Sequence, residues 1–167
     1  MKKIMELLQN MKAKNEKKDN KGFSLVELII VIAIMAILVG IVGTQVIPYL
    51  GKSKASKDQQ VLNSFSTAAV TAYSENAESM PTTGKLTVKV YGTNVADSAE
   101  AKLAEAIQTN TGYKTKAELV KQFASDAKTM TEDIIVKIDI DNHDVTTSID
   151  YGKSDPKYKV TDVKATL

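Results

Sequence analysis

From Leu28 to Gly51 the chain carries no charged residue, and from Lys52 onward apolar and polar positions recur with a helical period. Continued as helix at 1.5 Å per residue, the first stretch reaches roughly 36 Å, enough to cross a hydrocarbon layer of about 30 Å. The second sets Ala55, Val61, Leu62, Phe65, Ala68, Ala69, Ala72, Tyr73 and Ala77 along one face. Lys52, Lys54, Lys57, Asp58, Gln59 and Glu75 fall mainly on the other. A half-apolar stripe of this kind requires a sheet or further helices to cover it. Pro48 removes the donor that would reach the Thr44 carbonyl, which predicts a kink. The pattern therefore predicts one bent helix from Phe23 to about Ser79, closed by Met80-Pro81-Thr82-Thr83-Gly84.

Beyond that break the period changes. Leu86, Val88 and Val90 alternate with Thr87 and Lys89, which predicts a short strand. Asp97-Ser98-Ala99-Glu100 opens a helix running to about Thr109, with Leu103 and Ile107 inward. Thr115-Lys116-Ala117-Glu118 has the form of a capping box and predicts a helix with Leu119, Val120, Phe123 and Ala127 on its core face. Ile134, Val136, Ile138 and Ile140 alternate with Ile135, Lys137 and Asp139, and Asp141-Asn142-His143-Asp144 reads as a turn. Val145, Thr147, Ile149 and Tyr151 form the return strand, and Tyr158 with Val160 begins a last one. The fold class predicted is α+β, a long bent N-terminal helix packed against an antiparallel sheet, with short helices in the connecting region.

Charge changes the picture at the N-terminus. The first 22 residues hold seven Lys against Glu6, Glu16 and Asp19, leaving the remainder of the chain at about −2. No basic surface suited to nucleic acid is indicated. The lysine-rich head instead sets topology: it keeps the N-terminus in the cytoplasm and sends the chain after Lys52 outward. An ordinary secretory signal has a shorter apolar core and a small-x-small cleavage site, and neither is found here. A plain membrane anchor accounts for the span and its basic flank, but not for Glu27. A lone acid in such a segment costs about 2.5 kcal/mol or more in lipid unless neutralised or paired. Cysteine is absent, which excludes disulfides and thiol-ligated metal.

Ser24-Leu25-Val26-Glu27 fits an S-x-x-E capping box, which gives Glu27 a local structural role. The wider context is more specific. Lys21-Gly22, then Phe23-Ser24-Leu25-Val26-Glu27, then the apolar run closely resembles the N-terminal signal of type IV pilins and pseudopilins, over about residues 21–50. The resemblance implies a type IV pilin-like fold and a leader, residues 1–22, removed after Gly22 by a prepilin peptidase. It implies N-methylation of the new terminus at Phe23 by the same enzyme, and a role for Glu27 in assembly. Residues 23–50 would be the transmembrane and polymerisation half of the helix, and residues 51–167 the extracytoplasmic domain.

The implied function is that of a structural subunit, not an enzyme. It would sit in the membrane as a single-pass prepilin and then polymerise into a surface pilus serving adhesion, motility or biofilm formation. The alternative is a pseudopilin of a type II secretion or competence DNA-uptake system. Partners implied are other copies of the chain, the peptidase, an assembly platform with its motor ATPase, and the membrane; no cofactor is implied. Physically, cleavage would expose an α-amino group with a pKa near about 8. Such a cation, offered to Glu27 of a neighbouring copy in a low-dielectric bundle, would offset the desolvation of both charges.

Ala33, Ala36, Gly40 and Gly43 recur at spacings of three and four, placing small residues on one helix face where backbones can approach closely. Gly40 and Gly43 each lower helix stability by about 1 kcal/mol, so with Pro48 they mark a segment able to loosen. Other chemistry is poorly supported. Gly51-Lys52-Ser53 resembles the tail of a phosphate loop, but Val46 stands where the leading Gly belongs. His143 is the single histidine and lies in a turn, which argues against a triad or a His-based metal site. Asp139, Asp141, Asn142 and Asp144 lack the Gly and distal Glu of an EF-hand loop, and no metal site is expected.

Overall fold

The computed structural model describes Lys3, Met5, Glu6 and residues 23–167. The Gly22 cleavage position and most of the expected leader lie outside the described residues. Chain contacts divide the protein into two units, Met1–Gln45 and Val46–Leu167.

The first unit contains helix α1, Leu25–Ile41, whose composition is almost wholly aliphatic and none of whose residues is buried. Its end passes into a π-helical turn at Val42–Val46. Thr44 Oγ1 donates back to the Gly40 carbonyl at 2.9 Å, satisfying an acceptor of the preceding turn. Widening the ladder here puts Pro48 in the first turn of the next helix, where a missing N–H is best tolerated.

In the second unit, helix α2 spans Ile47–Glu75 and is followed by a 3-10 turn at Ala77–Ser79. Its stripe buries Ala55, Leu62, Phe65, Ala68, Ala69 and Ala72, while Val61 and Tyr73 are half-buried. Ala77, expected on the stripe, is exposed, because the helix has already given way to the tighter turn. The cover is a four-stranded antiparallel meander of β1 (Lys85–Lys89), β2 (Asp133–Asp139), β3 (Asp144–Asp150) and β4 (Val163–Thr166), in that order. Leu86 faces Ile138, Val88 faces Val136, and Ile138 faces Val145 across the ladders. The alternation legible in the sequence thus turns one side of β1, β2 and β3 into the core, where α2 meets β3 and β4 and the helix Ala99–Thr111 meets β1.

Helix α3, Ala99–Thr111, is capped by Ser98, whose hydroxyl accepts from Ala101 N at 3.1 Å, and buries Leu103, Ala104 and Ile107. It ends at Gly112 with φ 77°, a left-handed cap that glycine adopts without penalty. Phe65 joins the layers: Tyr113 stacks on it at 6.0 Å and Tyr91 meets it edge-on at 6.4 Å.

Two expectations are corrected. The helix opened by Thr115 is not continuous through Ala127 but two short pieces, α4 (Lys116–Val120) and α5 (Ala127–Met130). The reason lies 66 residues upstream, where Asp58 takes the Ala124 N–H at 2.7 Å and also the Ser125 N–H at 2.9 Å. Those donors would otherwise continue the helix. The last strand begins at Val163, not at Tyr158, because residues 158–161 are held against α2 by side chains.

Candidate assembly site at the head of the apolar helix

Ser24 is extended, with φ −63° and ψ 143°, so that its carbonyl starts the helical ladder by accepting Leu28 N–H at 3.1 Å. The first N–H groups of a helix have no partner within it, and its N-terminal end is electropositive. Glu27 answers both conditions: Oε2 accepts the Ser24 N–H at 2.8 Å. The capping role read from the sequence is therefore realised. It also folds the carboxylate back toward the residue following Phe23. A carboxylate has roughly four acceptor positions, so one bond to Ser24 leaves capacity for an incoming cation.

The rest of the site is exposed surface. Phe23 is 88% exposed, and Ala33, Ala36, Gly40 and Gly43 are all exposed. A Cβ built on Gly40 or Gly43 would meet nothing within 4 Å, so among the described residues no close approach uses these two glycines. The structure brings Ser24 and Glu27 together; it does not bring them to Gly40 or Gly43, which lie further along the first unit.

Sequence reasoning missed two carboxylates. Asp58, assigned to the polar face, is fully buried. The signal was present, since Ala55, Asp58, Leu62 and Phe65 recur at spacings of three and four. Asp133, at the start of β2, is also buried, and its Oδ1 accepts from Tyr91 N at 2.8 Å and Ile134 N at 2.7 Å. Burial pushes its carboxyl above the usual value, against the pull of those two amides. Burial likewise raises the Tyr91 phenol, whose hydroxyl donates to the Tyr113 carbonyl at 2.8 Å.

The alternative chemistries find structural explanations. Asp139 Oδ2 pairs with Lys85 at 2.8 Å, and the hydrogen bond from that ammonium, aided by Asn142, holds the carboxyl below its ordinary value. Asp141 Oδ1 accepts the Gly84 N–H at 3.1 Å. His143 adopts φ 55° in the β2–β3 turn, and its carbonyl accepts Leu167 N at 2.9 Å. Gly51-Lys52-Ser53 lies within α2, not in a loop after a strand. Among the described residues no group of three or more His, Cys, Asp or Glu is placed to hold a metal ion.

A long N-terminal helix whose second part packs on a four-stranded antiparallel sheet is the α+β arrangement of type IV pilin-like subunits. Residues 17–43 match the family model for the prokaryotic N-terminal methylation motif, the signature of type IV prepilins. No curated protein and no solved structure matches the chain. The match covers Phe23, Glu27 and the small-residue stripe, and the helical run Leu25–Glu75 is long and apolar enough to cross a membrane. Together they support a prepilin-type chain anchored in a membrane.

Proposed function

We propose that the chain is a structural subunit of a type IV pilus-like filament. It is made as a membrane-held prepilin with residues 1–22 in the cytoplasm, is cut between Gly22 and Phe23, and is methylated on Phe23. It then polymerises through residues 23–50, leaving residues 51–167 on the filament surface. The observation that carries this reading is the methylation motif over residues 17–43. The exposed apolar faces of α1 support it, because nothing among the described residues buries them.

In the assembled state the Phe23 ammonium of one copy meets Glu27 of the next. The carboxylate is already turned toward the start of the helix by its bond to Ser24. Removing the acid strands a buried cation, a loss of about 3–5 kcal/mol at each contact. Electron microscopy of host cells carrying the wild-type chain or Glu27→Ala tests the reading. Surface filaments containing the wild-type chain and none from the variant are expected; equal filaments from both would refute the role of Glu27. No filament from either would overturn the pilus.

A further inference from the structure

At the start of the second unit the last uncharged turn, with Ile47, Tyr49 and Leu50 exposed, is followed by exposed Lys52 and Lys54. The segment after β3 folds back onto this turn. Tyr158 lays its ring against Gly51 so closely that a Cβ there would collide with it, and only glycine permits the approach. Gln59 Oε1 accepts both the N–H and the hydroxyl of Thr161, at 3.0 and 2.7 Å, and Tyr151 Oη accepts the Val160 N–H at 3.1 Å. The returning segment is thereby fixed in register with the helix.

The consequence is a convergence of lysines from distant parts of the chain. Lys159 joins Lys52 on the rim of a cavity of about 300 Å³, and Lys157 joins Lys54 on the rim of a second of about 410 Å³, with Tyr158 lining both. Lys57, also exposed, lies further along the same helix. Two acids temper this charge: Asp126 lines the second cavity, and Asp155 pairs with Lys159 at 2.7 Å. Asp58 is buried with its oxygens committed to Ala124 and Ser125. The balance on the face is cationic.

Lysine and tyrosine directly after an apolar run have a particular physical use. Tyrosine rings settle at the headgroup level, and lysine stems lie along apolar surface while their ammonium groups reach outward. The positive-inside tendency concentrates lysine at the opposite end of the span, so a cluster on the exit side calls for a local anionic partner. We infer that this face seats on the phosphates of anionic lipid headgroups in the leaflet from which the helix emerges, holding the folded unit against the bilayer before assembly. The inference rests on the membrane-held reading above.

The test uses the full chain reconstituted in phosphatidylcholine vesicles, with or without about one third phosphatidylglycerol, and reads amide hydrogen exchange over residues 152–161. Each seated lysine is worth roughly a fivefold factor in occupancy, so exchange is expected to slow by at least about tenfold on the anionic vesicles. The protection should vanish at about 1 M salt, where the screening length falls to about 3 Å. It should also vanish in the combined variant Lys52→Gln, Lys54→Gln, Lys157→Gln, Lys159→Gln, whose β2–β3 amides keep native protection.

Equal exchange on both vesicles, with the chain retained by each, overturns the lipid seat alone. Equal protection by inorganic phosphate on neutral vesicles assigns the face to a free anion and also overturns it. A chain washed off both vesicles removes the membrane-held reading, and the inference with it. The salt series decides the matter even where the fourfold variant does not fold.

Discussion

In α1 every side chain from Leu25 to Ile41 is exposed, whereas in α2 Leu62, Phe65, Ala69 and Ala72 are wholly enclosed. Both segments are helical, so backbone geometry does not separate them; the surroundings each requires do. Fully burying one large aliphatic side chain is worth roughly 1.5–3 kcal/mol, and a folded domain has only about 5–15 kcal/mol of net stability in all. The many Ile, Leu and Val side chains of α1 therefore represent more free energy than the second unit has to spare. Such a segment finds its cover outside its own fold, in lipid or in other helices. The half-apolar α2 is satisfied by the sheet of its own chain.

The largest test of this contrast is paired truncation in detergent-solubilised protein. Phe65→Ala should destabilise the second unit by about 3–5 kcal/mol, through lost burial and a cavity beneath Tyr91 and Tyr113. Ile32→Ala, of comparable apolarity but in α1, should leave the urea midpoint of that unit unchanged. Next is Asp58→Ala, which deprives the Ala124 and Ser125 amides of their acceptor inside the fold. A loss of about 2–3 kcal/mol is expected, with faster hydrogen exchange confined first to residues 121–126.

Glycine substitution sharpens the comparison because its sign should reverse. Gly51→Ala drives a methyl into the Tyr158 ring and should cost about 1–3 kcal/mol by urea titration. Gly43→Ala meets open space in the π-helical turn after α1 and should stabilise that turn by about 1 kcal/mol, read by circular dichroism in micelles.

The smallest effect concerns pH. Burial raises the Asp133 carboxyl, so the folded state holds this proton to higher pH than the unfolded chain does. Its contribution is then present at low pH and lost as pH rises from the ordinary value of 3.8 through the folded value. Asp133→Asn keeps an oxygen for the Tyr91 and Ile134 amides and should flatten the stability profile in the range just above the ordinary value of 3.8. Asp139 works in the opposite sense and in a lower window, its contribution fading as pH falls through its depressed value.

How far the sequence disclosed this structure follows from the range of the interactions involved. The β2–β3 hairpin was legible because Ile134, Val136, Ile138 and Ile140, and after the turn Val145, Thr147 and Ile149, recur at every second position and mark the side that faces the core. The head of α1 was legible because Ser24 and Glu27 are three residues apart and act locally. The split between α4 and α5 was not, since its cause is a carboxylate on another helix. Nor was the late start of β4, because Tyr158 packs on Gly51 and Thr161 bonds Gln59 across 102 residues. Ala33, Ala36, Gly40 and Gly43 stay exposed among the described residues, so what packs on them was not legible.

On the proposed function α1 is freed of residues 1–22 and packs against copies of itself. Intact-mass analysis of the chain recovered from its native host tests it most directly. A polypeptide beginning at Phe23 and heavier than the bare sequence by one CH2, a methyl replacing a hydrogen, is expected. A mass that retains residues 1–22 would contradict it.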